Sequence, residues 1–126
     1  MRYKEENTHS GGLKRQYEDE TGQVGSVIFC IDNIREYQRI IIDHIEVEFQ
    51  SRRKKVGTLM LLGLCRDYPN SVLVPNNIKG SAQSFWLNAL AFLEKNGFKV
   101  EKEISFSERA EEIVKDDAAR FWKENT

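Results

Sequence analysis

Residues 40–65 read IIIDHIEVEFQSRRKKVGTLMLLGLC and fall into three pieces in immediate succession. Residues 40–49 begin β-branched and then alternate, with Ile45, Val47 and Phe49 on one face and His44, Glu46 and Glu48 on the other. This predicts a strand buried on both faces at its start and on one face at its end. Residues 50–55 hold no apolar side chain and include four consecutive cations, Arg52, Arg53, Lys54 and Lys55. Residues 56–65 place Val56, Leu59, Met60, Gly63 and Leu64 at helical spacing. Gly57 and Thr58 thus stand at a helix start, where free N–H groups and the positive end of the macrodipole are presented. Cations beside such a start make an anion seat suited to a phosphate or pyrophosphate. The same residues also fit a solvated basic turn ahead of an ordinary core helix, and the spacing leaves both readings open.

Outward from this stretch the chain keeps the rhythm of a mixed sheet. Residues 13–17 and 24–31 read as two strands, with Thr21-Gly22 in the turn between them. In the second, Val27, Phe29 and Ile31 alternate with Ile28 and Cys30, so it is apolar on both faces and central. Asp32-Asn33 marks the next turn. Three sequential strands with short turns predict an antiparallel meander. Pro69 and Asn70 stop the helix that starts at Val56, and residues 71–75 form a brief apolar strand, entered through a helical crossover and therefore parallel to the one before. The anion seat then lies at the carboxyl end of a strand inside a β-α-β unit, where open sheets bind ligands.

Downstream, Ala82, Phe85, Trp86, Ala89, Leu90 and Leu93 mark an amphipathic helix that Gly97 ends. Residues 98–106 read as a last strand through Phe98, Val100, Ile104 and Phe106. Ser105 and Glu108 have capping-box spacing, and Ala110, Ile113, Val114, Ala118, Phe121 and Trp122 form a second apolar stripe. The fold class expected is a three-layer α+β arrangement with a mixed, mostly antiparallel sheet. Its parts are a loose lead over residues 1–12, a domain over 13–106 and a C-terminal amphipathic helix over 107–126.

Composition narrows the function classes. With 126 residues, 40% of them hydrophobic and 31% charged, the chain suits one globular domain. No apolar run approaches the roughly 20 residues of a membrane span, and residues 1–12 hold no signal core, so a cytoplasmic protein is expected. A net charge of −1 gives no global pull toward nucleic acid, and the cationic run at 52–55 is local. Cys30 and Cys65 sit in apolar segments and read as buried free thiols. His9 and His44 are the only histidines and give no metal-site spacing, so no metal is expected.

Residues 45–61 resemble the acetyl-CoA motif of the GNAT superfamily, the general N-acetyltransferases. That motif is an apolar strand ending in Val, a spacer, then (Gln/Arg)-x-x-Gly-x-(Gly/Ala) running into a helix. Val47 matches the strand-end valine, Arg52 the Gln/Arg position, Gly57 the last small residue and Thr58 the small residue after it, without insertion. Lys55 replaces the first glycine. The later half is similar too: Asn76 or Asn77 follows the short strand, and Gly97-Phe98 match the family's closing pair. Leu93 stands where many members carry the tyrosine that protonates the coenzyme thiolate.

The resemblance implies acetyl-CoA as co-substrate and an amine as acceptor, lysine side chains or N-termini of proteins being the class a small open fold suits. It assigns coenzyme holding to Val47, Glu48, Phe49, Arg52, Arg53, Lys54, Lys55, Val56, Gly57, Thr58 and Asn76. For the base, Glu46 is the first choice, with His44 and Glu48 on the same face; all three also fit the solvent face of a half-exposed strand. Ser84 and Tyr68 are candidate donors to the thiolate. Full-length members open with an extra strand and two helices, which residues 1–12 are too few to supply, so a minimal member is expected. Its bare sheet face would be covered by the C-terminal helix or by a second subunit. The alternative function is a non-catalytic GNAT-derived module, with a degenerate coenzyme site, that binds a protein partner; nucleic acid is a weaker third.

Overall fold

The computed structural model describes residues 1–9, 11–34, 37–52, 54–76, 78 and 80–101. Six strands, β1 (Arg2–Asn7), β2 (Leu13–Asp19), β3 (Gly22–Ile34), β4 (Tyr37–Val47), β5 (Ser71–Pro75) and β6 (Lys99–Val100), form one sheet in sequence order. The helices are α1 (Val56–Asp67) and α2 (Gln83–Lys95). β1 to β4 are an antiparallel meander, and β4, β5 and β6 run parallel. This is the mixed α+β sheet expected.

Each parallel step is a crossover through one helix. Right-handed crossovers taken in the same direction along a sheet put both helices on one face. The core accordingly lies on that face: Met60, Leu61 and Leu64 of α1 and Trp86, Ala89, Leu90 and Leu93 of α2 meet Val27, Phe29, Ile40, Ile42 and Leu73 of the sheet. Among the described residues no helix covers the opposite face, where Ile28, Cys30 and Ile41 are half-buried. The helix expected over 107–126, with Ile104, Phe106 and the Ser105–Glu108 capping signal, lies outside the described residues.

The first twelve residues depart from expectation. Instead of a loose lead they supply β1, paired with β2 from Arg2↔Glu18 to Asn7↔Leu13. The Thr8 hydroxyl accepts the Gly12 N–H at 2.9 Å, and Gly11 takes φ +90°, so the two strands join through a tight hairpin. β1 is an edge strand exposed along its whole length, so its side chains carry no apolar alternation to read. It is held by ion pairs, Arg2 to Glu18 at 2.9 Å and Glu5 to Arg15 at 2.6 Å. The chain thus opens on a strand, and among the described residues no helix lies between β1 and β2.

β4 contains a feature hidden in its isoleucine run. Phe29 pairs with Ile42 and Ile28 with His44, so Asp43 is an extra residue, a β-bulge. The bulge switches the strand's parity: Ile40 and Ile42 face the core before it, Ile45 and Val47 after it. The strand then stops at Val47, and residues Phe49–Ser51 form a single 3-10 turn. Phe49, expected on the core face with Ile45 and Val47, is 81% exposed because the chain has left the pleat before reaching it. Further on, α1 runs two residues past the expected end, to Asp67. Gly97 closes α2 at φ +89°, as expected.

Candidate functional site

The β-α-β unit brings the predicted residues to one place. β4 and β5 pair from Gln38↔Ser71 to Ile42↔Pro75, then part. Asn76 closes the pair at the fork: its N–H donates to the Ile42 carbonyl at 2.9 Å, and its side-chain amide donates to Asp43 at 3.2 Å. Among the described residues, β4 continues past the fork without a strand paired to it on that side. Its Glu48 N–H donates to Val24 in β3 at 2.8 Å. By strand alternation, Ile45 and Val47 turn their N–H and C=O groups the other way, into the fork. Arg52 Nε donates to the Val47 carbonyl at 3.1 Å. Among the described residues, the N–H groups of Ile45 and Val47 have no partner on that side.

This rail of backbone leads to the start of α1. Lys55 is the residue before the helix and has φ +60°, ψ 22°, the one non-glycine with positive φ among the described residues. That conformation is the left-handed one glycine adopts freely, at the position where the GNAT motif has its first glycine. A lysine here therefore keeps the path of a glycine, at some strain, and adds a cation. No side chain caps the helix and no acidic residue stands in its first turn. The first helical bond is Leu59 N–H to Lys55 C=O at 3.0 Å, so the N–H groups of Val56, Gly57 and Thr58 remain unbonded within the helix. Lys54 and Lys55 are exposed beside them. Arg53 lies outside the described residues, as does Asn77.

Gly57 has a second, structural reason. It is buried, and a Cβ on it would lie 2.7 Å from Cε1 and 2.9 Å from Cζ of Phe85 in α2. Glycine lets α2 close over the start of α1, in addition to any part in binding.

The candidate chemical groups are less concentrated. Glu46 is exposed on the sheet face opposite the helices, paired in register with Ser26, and His44 shares that face. Among the described residues neither they nor the Glu48 side chain forms a hydrogen bond or ion pair. Tyr68 does not reach the site: it follows the far end of α1, about 18 Å along the helix from the seat, edge-on to Phe29 with ring centroids 6.2 Å apart. Ser84 is exposed at the start of α2. Leu93 is 0% exposed in the core, so the position where the resemblance leads one to look for a proton donor holds a packing residue. Asp43, which sequence reasoning passed over, is the acid nearest the fork; only the bulge reveals it. Cys30 is half-buried and free, and burial, then the carboxylates of Asp43 and Asp32, push its thiol pKa up. Among the described residues no group of acids, histidines or cysteines could hold a metal ion, and no helix is long and apolar enough to cross a membrane.

No family model and no curated protein matches the chain. Solved structures do. Ribosomal-protein-alanine N-acetyltransferase from Brucella melitensis biovar Abortus 2308 aligns at 17% identity with a TM-score of 0.52, over 79% of this chain and 71% of that one. An integron cassette protein from the mobile metagenome of V. cholerae aligns at 14% identity and TM-score 0.51, over 78% and 60%. An acetyltransferase from Trypanosoma brucei aligns at 18% identity and TM-score 0.48, over 72% of this chain. The alignment spans 64% of the Trypanosoma enzyme, less than two thirds of its length. At such identities the likeness is one of fold, and the fold is that of the GNAT acetyltransferases.

Proposed function

We propose, with the GNAT fold as premise, that this protein binds acetyl-CoA and transfers the acetyl group to an amine, the acceptor being a protein lysine or N-terminus. One observation carries the reading: the fork between β4 and β5 exposes backbone N–H groups of Ile45 and Val47 that run into the uncapped, cationic start of α1. An extended amide-bearing arm pairs with such a rail as another strand would, and a pyrophosphate suits the helix start. The backbone of Val47, Glu48 and Phe49 would line the arm, and Arg52, Arg53, Lys54, Lys55, Val56, Gly57 and Thr58 the phosphates, with Asn76 setting the fork. In the reaction the amine nitrogen attacks the thioester carbon, the carbon–sulfur bond breaks and the coenzyme leaves as thiolate. Glu46, directly or through a water, takes the proton that the attacking amine releases. A protein acceptor fits because the described residues put no wall over the open sheet face to enclose a small metabolite. The cytoplasm, where acetyl-CoA is available, is the compartment this reading implies.

A second reading has its own observation. Leu93 is a core residue and supplies no proton to a thiolate, which favours a GNAT-derived module that binds a protein partner without catalysis. Calorimetric titration with acetyl-CoA, CoA and 3′-dephospho-CoA separates the two. Saturable binding that weakens when the 3′-phosphate is removed supports the enzyme; absence of heat with any of the three sinks it and leaves the binding module.

A further inference from the structure

Among the described residues, the most exposed large apolar side chain belongs to the loop that enters this site. Phe49 is 81% exposed; the next, Met1, is 57%. Single exposed apolar residues are common on protein surfaces, but this one stands on a turn whose geometry is fixed. Glu48 N–H donates to Val24 at 2.8 Å, Ser51 N–H to Glu48 at 2.8 Å and Arg52 N–H to Phe49 at 3.3 Å. Ser51 is buried, so the turn is anchored from below while the ring is held out. A 3-10 turn repeats every three residues, which places side chains 49 and 52 above one another. The Arg52 guanidinium carbon is 5.6 Å from the centroid of the Phe49 ring, and its Nε is tied to the Val47 carbonyl. Lys54 and Lys55 follow toward α1, both exposed.

A flat ring with a cation over one face and further cations within a few residues match a base carried on phosphates: the base stacks on the other aromatic face while the cations meet the anions. We propose that Phe49, with Arg52, is the stacking platform for the adenine of a phosphorylated adenosine, the nucleotide end of the coenzyme. The inference rests on the coenzyme reading above and deepens it. It gives the Phe49 side chain a part that is separate from the backbone rail and from the helix start.

The test is titration of the whole protein and of Phe49→Ala and Phe49→Trp with CoA, adenosine 3′,5′-bisphosphate and 4′-phosphopantetheine. Because the ring is exposed, both variants fold. The expected result is that Phe49→Ala weakens CoA and the bisphosphate by roughly 5- to 100-fold, leaves 4′-phosphopantetheine unchanged, and is rescued by Phe49→Trp. Equal CoA affinity in the wild type and Phe49→Ala overturns the platform and leaves the coenzyme reading standing. Equal weakening of all three ligands also overturns it, because the ring would then act on the pantetheine or on the turn itself. Failure of the wild type to bind CoA removes the coenzyme reading and the platform together. Phe49-dependent binding of single-stranded RNA without CoA binding overturns it in favour of a nucleic-acid surface.

Discussion

The guanidinium of Arg15 lies 2.8 Å from the carboxylate of Asp67, joining β2 to the last residue of α1. The same cation meets Glu5 of β1 at 2.6 Å and stacks 4.0 Å from the centroid of Tyr3. Its side chain is 4% exposed, against 44% for Asp67. Burial pulls its pKa down, but hydrogen bonds with Tyr17 and Glu5 outweigh that and hold it above the ordinary arginine value. The asymmetry decides the outcome of mutation. Arg15→Ala should cost about 2–4 kcal/mol, because it unpairs two acids and empties a packed site. Asp67→Asn should cost about 1 kcal/mol or less, because Asp67 is screened by water and Glu5 remains. Urea denaturation reads both, and equal costs would show that the cation is not the hub.

Burial alone pushes the Cys65 thiol from about 9 to about 11. The neutral thiol is the form the fold accepts, so its contribution is complete below pH 9 and is lost as the pH rises toward 11. Stability should fall by up to about 2–3 kcal/mol across that window. Tyr3 and Tyr17, also raised by burial, add a background of the same sign. Comparing urea midpoints for wild type and Cys65→Ala at both ends of the window isolates the thiol. Parallel pH slopes in the two proteins would remove Cys65 as a cause.

Lys55 combines two effects that two substitutions separate. Lys55→Gly removes the charge and the left-handed strain, and should stabilise the fold by about 0.5–1 kcal/mol. Lys55→Ala removes the charge and keeps the strain, and should not stabilise. If the ammonium holds phosphate, both variants bind CoA more weakly, by about 1–3 kcal/mol for a charge-assisted contact. A degenerate site predicts unchanged or tighter binding in the glycine variant.

Gly57→Ala should destabilise by about 1–2 kcal/mol, since the new Cβ falls 2.7 Å from the Phe85 ring. The clash is with a side chain, so Phe85→Ala in the same chain should recover part of the loss. A double-mutant cycle measures this coupling. Strict additivity of the two costs would mean that Gly57 is required for something other than contact with Phe85.

Much of this architecture was legible because its signals are local. Residues 71–75 are bounded by Asn70 and Asn76, and the helix start at Val56 follows a run with no apolar residue. Three features escaped for physical reasons. β1 is an edge strand exposed on both faces, so nothing in Arg2–Asn7 alternates. The bulge at Asp43 follows three isoleucines, which mask a change of parity that only register discloses. Phe49 continues the alternation of Ile45 and Val47 in sequence, yet the backbone turns after Glu48, whose carbonyl takes the Ser51 N–H at 2.8 Å in a 3-10 turn. Within the site, the helix start at the carboxyl end of a strand was inferable from spacing, whereas the parting of β4 from β5 and the left-handed backbone of Lys55 were not, since neither Ile42–Val47 nor a lysine carries a local signal for them.

The fork has a consequence for handling the protein. A strand that offers free N–H groups accepts any extended chain within reach, including a segment of a neighbouring copy. The outer edge of the sheet is guarded, because β1 presents Lys4, Glu5 and Glu6 along its length. Among the described residues, the slot between β4 and β5 has the Arg52 side chain across part of it and no paired strand. Slow clumping in storage should therefore begin at this interior slot, and a molecule lodged there would act as a preservative whatever else it does.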